Sequence, residues 1–119
     1  IEFGEFFEDR PFSKQLFEAV NDLVQGLGPT GVRVSKTQIA FVHGKPFAWA
    51  WVPEMHLRRP AAPLVLTIGY GYRKESPRWK EIYEAKPGRF VHHLELWTGA
   101  ELDHEVHQWL CEARNSALP

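Results

Sequence analysis

The side chains of this sequence that could do chemistry beyond packing are six histidines, one cysteine and a run of bases mixed with aromatics. His104, His107 and Cys111 are spaced i, i+3 and i+7, so a helix would line them up on one side. Imidazole and thiolate together suit a transition metal. The spacing matches no zinc-site pattern, however, and no second ligand pair accompanies it. A solvated helix face is the expectation, with no metal and no other cofactor. His92 and His93 are consecutive, and consecutive side chains leave a strand by opposite faces, so the two cannot share one small site. One of them must lie among core residues, where a neutral imidazole held by a hydrogen bond is the ordinary outcome. The alternative is a polar group in a pocket, with Lys36, Glu95 or Tyr70 nearby. Cys111 has no nucleophile signature around it, and no serine stands in a G-x-S-x-G setting. The segment GYGYRK, residues 69–74, lacks the third glycine and the helix start of a phosphate loop, and reads as a turn at a sheet edge.

The broadest constellation is basic and aromatic. It comprises Lys36, Trp49, Trp51, Arg58, Arg59, Tyr70, Tyr72, Arg73, Lys74, Arg78, Trp79 and Lys80. Aromatics on a sheet flanked by bases can stack rings and hold phosphates, although alternating Trp on a strand is also how a core is built. Charge follows the same division. Residues 1–32 carry −4, residues 33–89 carry +7 and residues 90–119 carry −4. These segments either neutralise one another across the fold or leave a positive face for an anion. The candidate ligand-binding residues are Lys36, Trp51, Tyr70, Arg73, His92 and His93.

The elements that must position these groups are legible in part. Asp9 is placed to cap a first helix, with Pro11 in its first turn; Phe12, Leu16, Ala19, Val20, Leu23 and Leu27 share one face, and Gly28-Pro29 stops it. A meander follows. It runs through Val32–Ser35, Thr37–His43, a turn at Gly44-Lys45-Pro46, and Phe47–Val52, where Phe47, Trp49 and Trp51 alternate with Ala48, Ala50 and Val52. Small residues on one side of that strand imply close packing there. Residues 54–63, with Arg58-Arg59-Pro60, read as a loop, and Leu64–Tyr70 as a fourth strand. A long excursion follows, with a short helical turn over Ser76–Ile82. Phe90, His92, Leu94 and Leu96 then alternate with Val91, His93, Glu95 and Trp97 on the last strand. Thr98 and Glu101 form a T-x-x-E capping box, and Leu102, Val106, Trp109, Leu110 and Ala113 make the stripe of a final helix. The pattern predicts an α+β fold: an antiparallel sheet of about five strands, with the N- and C-terminal helices packed on one face.

A length of 119 residues predicts one domain. Its apolar share of 44% suits a globular protein. No apolar run approaches the ~18 residues that cross a bilayer, so no membrane association is expected. The start, IEFGEFFEDR, is acidic, unlike a secretory leader, and it lacks an initiator Met, as a segment cut from a longer chain would. The single Cys111 allows no internal disulfide, and the expected location is cytoplasmic.

The phrases VRVSKTQIAF, FAWAWVP, PLVLTIGYG, SPRWKE and HHLELWTGAELDHEVHQWLCEA, in this order, resemble a bacterial family known only as a domain of unknown function. It occurs alone or at the C-terminal end of larger predicted transport or nuclease-associated proteins. The resemblance covers about residues 6–115 and rests on the Lys36 hairpin, the histidine-bearing strand and the L-D-x-E-V-x-x-W-L helix. More distantly, the layout is similar to small α+β bacterial domains described as iron-chaperone-like. Such domains tend to read Ala-Tyr at the end of the helix, where this chain has Ala113-Arg114. The resemblance brings no catalytic residues with it. The expected function is a small ligand- or partner-binding module, with a small anionic molecule held through the basic, aromatic-rich sheet region and a protein partner or a second copy of the chain as the other candidate partners. The alternatives are a small hydrolase or transferase using His92 or His93, and a weak nucleic-acid binder; nucleic acid is not the expected partner.

Overall fold

The computed structural model describes residues 3–55 and 61–117; the Arg58-Arg59 pair lies outside the described residues. A short helix α1 (Phe3–Phe6) precedes α2 (Pro11–Gly26), followed by β1 (Gly31–Val34), β2 (Ile39–His43), β3 (Lys45–Trp51), β4 (Leu64–Tyr70), β5 (Glu81–Lys86), β6 (Arg89–Leu96) and α3 (His104–Ala117). The strands form one antiparallel sheet in the order β1-β2-β3-β4-β6-β5. The α+β expectation holds, with six strands among the described residues rather than about five. No helix among them is long and apolar enough to cross a membrane.

The additional strand is β5, where a short helix over Ser76–Ile82 was expected. Only a turn survives of that helix, Trp79 N–H donating to the Ser76 carbonyl at 3.4 Å. The next residues pair with β6 through a turn at Pro87-Gly88, where Gly88 has φ +75°. Glu81, Glu84 and Lys86 put charge along this outer strand, which is how exposed edges avoid pairing with other chains. That charge is also what hides the strand's alternation.

The core lies on one face of the sheet. Ile39, Phe41, Ala48, Ala50, Leu64, Leu66, Ile68, Leu94 and Leu96 are buried there with Phe17, Val20 and Val24 of α2 and Val106, Leu110 and Ala113 of α3. Ala48 and Ala50 let α3 pack closely on β3, as the small residues implied. The two helices do not cover the face equally: α3 packs on β2, β3 and β4, while α2 packs on β4 and α3 and reaches β2 through Phe17, stacked on Phe41 at 5.9 Å. Phe47 departs from its expected alternation with the Trp residues. A register shift between Phe41 and Val42 leaves Phe47 unpaired opposite β2, and it turns into the core beside Ala48.

Three local expectations also shift. The buried stripe of α2 is Ser13, Leu16, Phe17, Val20 and Val24, and Phe12 stands 49% exposed. The cause is α1: Phe3 and Phe7 lie against Phe17, with ring centroids at 4.9 and 5.3 Å, and this rotates the stripe toward them. Asp9 does not cap α2; it adopts φ +62° in the connecting turn, and Arg10 occupies the cap position. The Thr98–Glu101 box closes a single 3-10 turn, Glu101 Oε1 accepting the N–H of Trp97 at 2.6 Å and of Thr98 at 2.7 Å. The true cap of α3 is Asp103, whose Oδ1 accepts the Val106 N–H at 3.2 Å.

At its far end α3 is held by Arg114. The guanidinium donates to the Pro29 carbonyl at 2.6 Å and to Thr30 Oγ1 at 3.1 Å, while the Arg114 carbonyl accepts from His43 Nδ1 at 2.8 Å. A Cβ on Gly28 would sit 2.8 Å from Arg114 Nη2, and Gly28 has φ +141°, so only glycine suits that turn.

His92 is buried completely in the core. The Lys74 N–H donates to its Nε2 at 2.9 Å, so the proton sits on Nδ1 and is donated to the Ile68 carbonyl at 3.2 Å. Trp79 covers the ring at 5.1 Å and stacks on Trp109 at 4.2 Å. His92 thus pins the loop of residues 71–80 to the sheet.

Two predictions follow from this packing. Phe17→Ala should cost about 3–5 kcal/mol in chemical denaturation, and Phe12→Ser less than about 0.5 kcal/mol; comparable losses would contradict the observed face of α2. Burial holds the His92 pKa below its ordinary 6.5, so the unfolded chain takes up a proton at a pH where the folded chain does not. Stability contributed by neutral His92 is therefore present above pH 6.5 and lost as pH falls below it. His92→Gln, whose amide can both donate and accept, should flatten the decline of the denaturation midpoint in that range. An unchanged slope would contradict the assignment.

Candidate functional site

Among the described residues no helix packs on the other face of the sheet, and the register decides what lies on it. Ala40 pairs with Trp49, Trp49 with Thr67, Thr67 with His93, and His93 with Glu81, so one row crosses five strands. The neighbouring rows contribute Trp51 and Val65 on one side, and Gly69, Val91 and Tyr83 on the other. Together they make an open depression of about 460 Å³, lined by Thr37 and Gln38 beyond the β1–β2 turn, Trp49 and Trp51 of β3, Thr67 of β4, Tyr83 of β5, and Val91 and His93 of β6.

Thr67 organises its centre. Trp51 Nε1–H donates to Thr67 Oγ1 at 2.8 Å, and Thr67 Oγ1 lies 2.7 Å from His93 Nδ1. Indole N–H can only donate, so Thr67 accepts from Trp51 and has its own proton to place. Thr67 is buried, and its remaining hydrogen bond is to His93; the hydroxyl therefore donates to Nδ1. His93 is then the Nε2–H tautomer. That nitrogen faces Glu81 Oε1 at 3.9 Å, an electrostatic neighbour beyond hydrogen-bond reach. Burial lowers the His93 pKa and Glu81 opposes the shift more weakly. The ring stands edge-on to Trp51 at 5.5 Å and beside Tyr83 at 5.4 Å. The arrangement offers flat aromatic surface, a fixed donor on His93 and amide and hydroxyl groups on Gln38 and Thr37. It suits recognition of a planar polar molecule.

The six sequence candidates separate. Trp51 and His93 meet in the depression. Lys36 is exposed in the β1–β2 turn, next in sequence to the lining residue Thr37. Tyr70 and His92 belong to the core face. Burial pushes the Tyr70 phenol pKa far up, and its hydroxyl donates to the Trp109 carbonyl at 2.7 Å. Arg73 is exposed and paired with Glu75 at 2.5 Å. The bases near it are likewise engaged: Lys74 with Glu112 at 2.8 Å, and Arg78 with Asp103 and Glu105 at 3.0 and 2.9 Å. Lys74 and Arg78 of the basic middle are thus neutralised by acids on and beside α3. His104 and His107 are exposed on α3 with parallel rings 6.3 Å apart.

Thr67, Tyr83 and Gln38 were not singled out from the sequence. A lone hydroxyl in the otherwise apolar Leu64–Ile68 stretch was a signal for Thr67. Tyr83 depends on recognising β5, and Gln38 on the depth of the β1–β2 turn.

No curated protein and no solved structure matches the chain closely enough to report. A family model does match, over residues 3–115, under the description "Domain of unknown function (DUF5655)". That match spans nearly the whole sequence, and the chain belongs to this family.

Proposed function

We propose that the domain is a binding module and that its open sheet face holds a small, planar, anionic molecule. The observation that carries this reading is the Trp51–Thr67–His93 chain of hydrogen bonds at the centre of an aromatic depression. A donor held in one orientation between ring faces selects flat polar ligands. The same chain disfavours the hydrolase or transferase alternative. His92 has both nitrogens engaged within the core, and His93 accepts a hydrogen bond from the Thr67 hydroxyl on Nδ1 and carries its proton on Nε2, leaving no free base for chemistry. Engagement of Arg73, Lys74 and Arg78 by carboxylates argues against a strand of nucleic acid, which would have tracked these bases. A cytoplasmic location accords with the single cysteine.

Intrinsic tryptophan fluorescence tests the reading, since Trp49 and Trp51 lie on this face while Trp79 and Trp109 are buried in the core. Titration with mononucleotides and small aromatic acids should give saturable quenching that weakens with salt. His93→Ala should reduce affinity about fivefold, the equivalent of one net hydrogen bond, with the melting curve still cooperative. Quenching that is unchanged in both His93→Ala and Trp49→Ala would remove the open face as the site.

A further inference from the structure

The aromatic depression continues into a second one, also of about 460 Å³, which shares Trp49 and Val91 and adds Lys45, Lys86 and Arg89. These three cations come from β3, β5 and β6: Lys86 and Arg89 face each other across the β5–β6 hairpin, and Lys45 joins them from a distant part of the sequence. None has a carboxylate partner among the described residues, unlike Arg73, Lys74 and Arg78. The nearest acid on β5, Glu84, is engaged by the Gly88 N–H at 3.0 Å and is not part of the lining. Arg89 is held in place: its Nη2 donates to the Pro46 carbonyl at 3.0 Å, leaving other guanidinium N–H groups to be shared. Gly69 makes this possible. A Cβ there would lie 3.3 Å from Trp49 Cζ3 and 3.4 Å from Arg89 Nη2, so the bare backbone lets the indole and the guanidinium settle together on the sheet.

We propose that Lys45, Lys86 and Arg89 form an anion subsite, and that the ligand is an aromatic ring joined by a short spacer to a phosphate, a nucleoside monophosphate being the plainest instance. This deepens, and rests on, the reading of the open face given above. Charge sets the direction of the ligand. Glu81 lies beyond His93 at the opposite end and repels an anion there, so the phosphate faces the three cations and the ring faces His93. Spacing agrees. A ring laid over Val91, which is two residues from both Arg89 and His93 on β6, sits roughly 7 Å from each at strand rise, about the reach from a base to its phosphate. Three cations around one group match a dianion better than a monocarboxylate, and a guanidinium suits phosphate oxygens.

The test compares adenosine and uridine with their 5′-monophosphates at low salt, read by tryptophan quenching and calorimetry. The monophosphates should bind at least tenfold tighter than the nucleosides. Lys45→Ala/Lys86→Ala, two exposed positions, should abolish that advantage and leave nucleoside binding unchanged. Equal binding of nucleoside and monophosphate, or an advantage that survives the double substitution, would overturn the subsite while leaving the aromatic site standing. Binding of neither would overturn both readings. A ten-residue single strand binding more than a hundredfold tighter than the monophosphate would overturn the small-molecule assignment in favour of a polymer.

Discussion

Pairing of β4 with β6 is the constraint on which the two faces of this protein depend. The register sets Thr67 opposite His93 and Ile68 opposite His92. Two chemically identical side chains thereby enter different environments. His92 goes into a dry core, where its two nitrogens are matched by one carbonyl and one amide. His93 goes to the open face, where a threonine hydroxyl fixes its tautomer. A slip of one residue would exchange them and carry Leu94 and Leu96 to the solvent side. The apolar alternation of β6 and the pairing of the histidines with their partners therefore enforce the same register.

Electrostatics divides along the same lines. The bases of the loop after β4 find acids on and beside α3, so Lys74–Glu112 and Arg78–Asp103 serve to hold the loop over His92 and Trp109. These pairs are partly exposed and each is worth little alone; their use is positional, since the same loop supplies Trp79 to cover the imidazole. At one end of the open face, by contrast, Lys45, Lys86 and Arg89 have no carboxylate partner among the described residues. Three bases of the basic middle segment thus gather, in three dimensions, in one corner beside an aromatic surface.

Much of the scaffold was legible. Alternation separated His92 from His93, the alanines of β3 marked the side on which α3 packs, and the stripe through Val106, Trp109, Leu110 and Ala113 is buried as its spacing implied. What was not legible has physical causes. The charges that protect β5 as an edge also erase its period-two signal. The stripe of α2 is rotated by contacts with α1, which lies outside the helix's own periodicity. Phe47 leaves its alternation at a register shift between β2 and β3, which no local pattern announces. The candidate site was legible only in Trp51 and His93, because the rest depends on which residues face each other across strands. Thr67 and His93 are 26 positions apart, and Lys45 joins the hairpin pair Lys86 and Arg89 only in the completed sheet.

The most direct test of the account is a long-range nitrogen–proton spectrum of the imidazoles near neutral pH, recorded with and without adenosine monophosphate. Opposite tautomers are predicted, Nδ1–H for His92 and Nε2–H for His93, and only the His93 signals should move on adding the nucleotide. The same tautomer at both positions, or a response at His92 with His93 unchanged, would contradict the assignment of one histidine to the core and the other to the binding face.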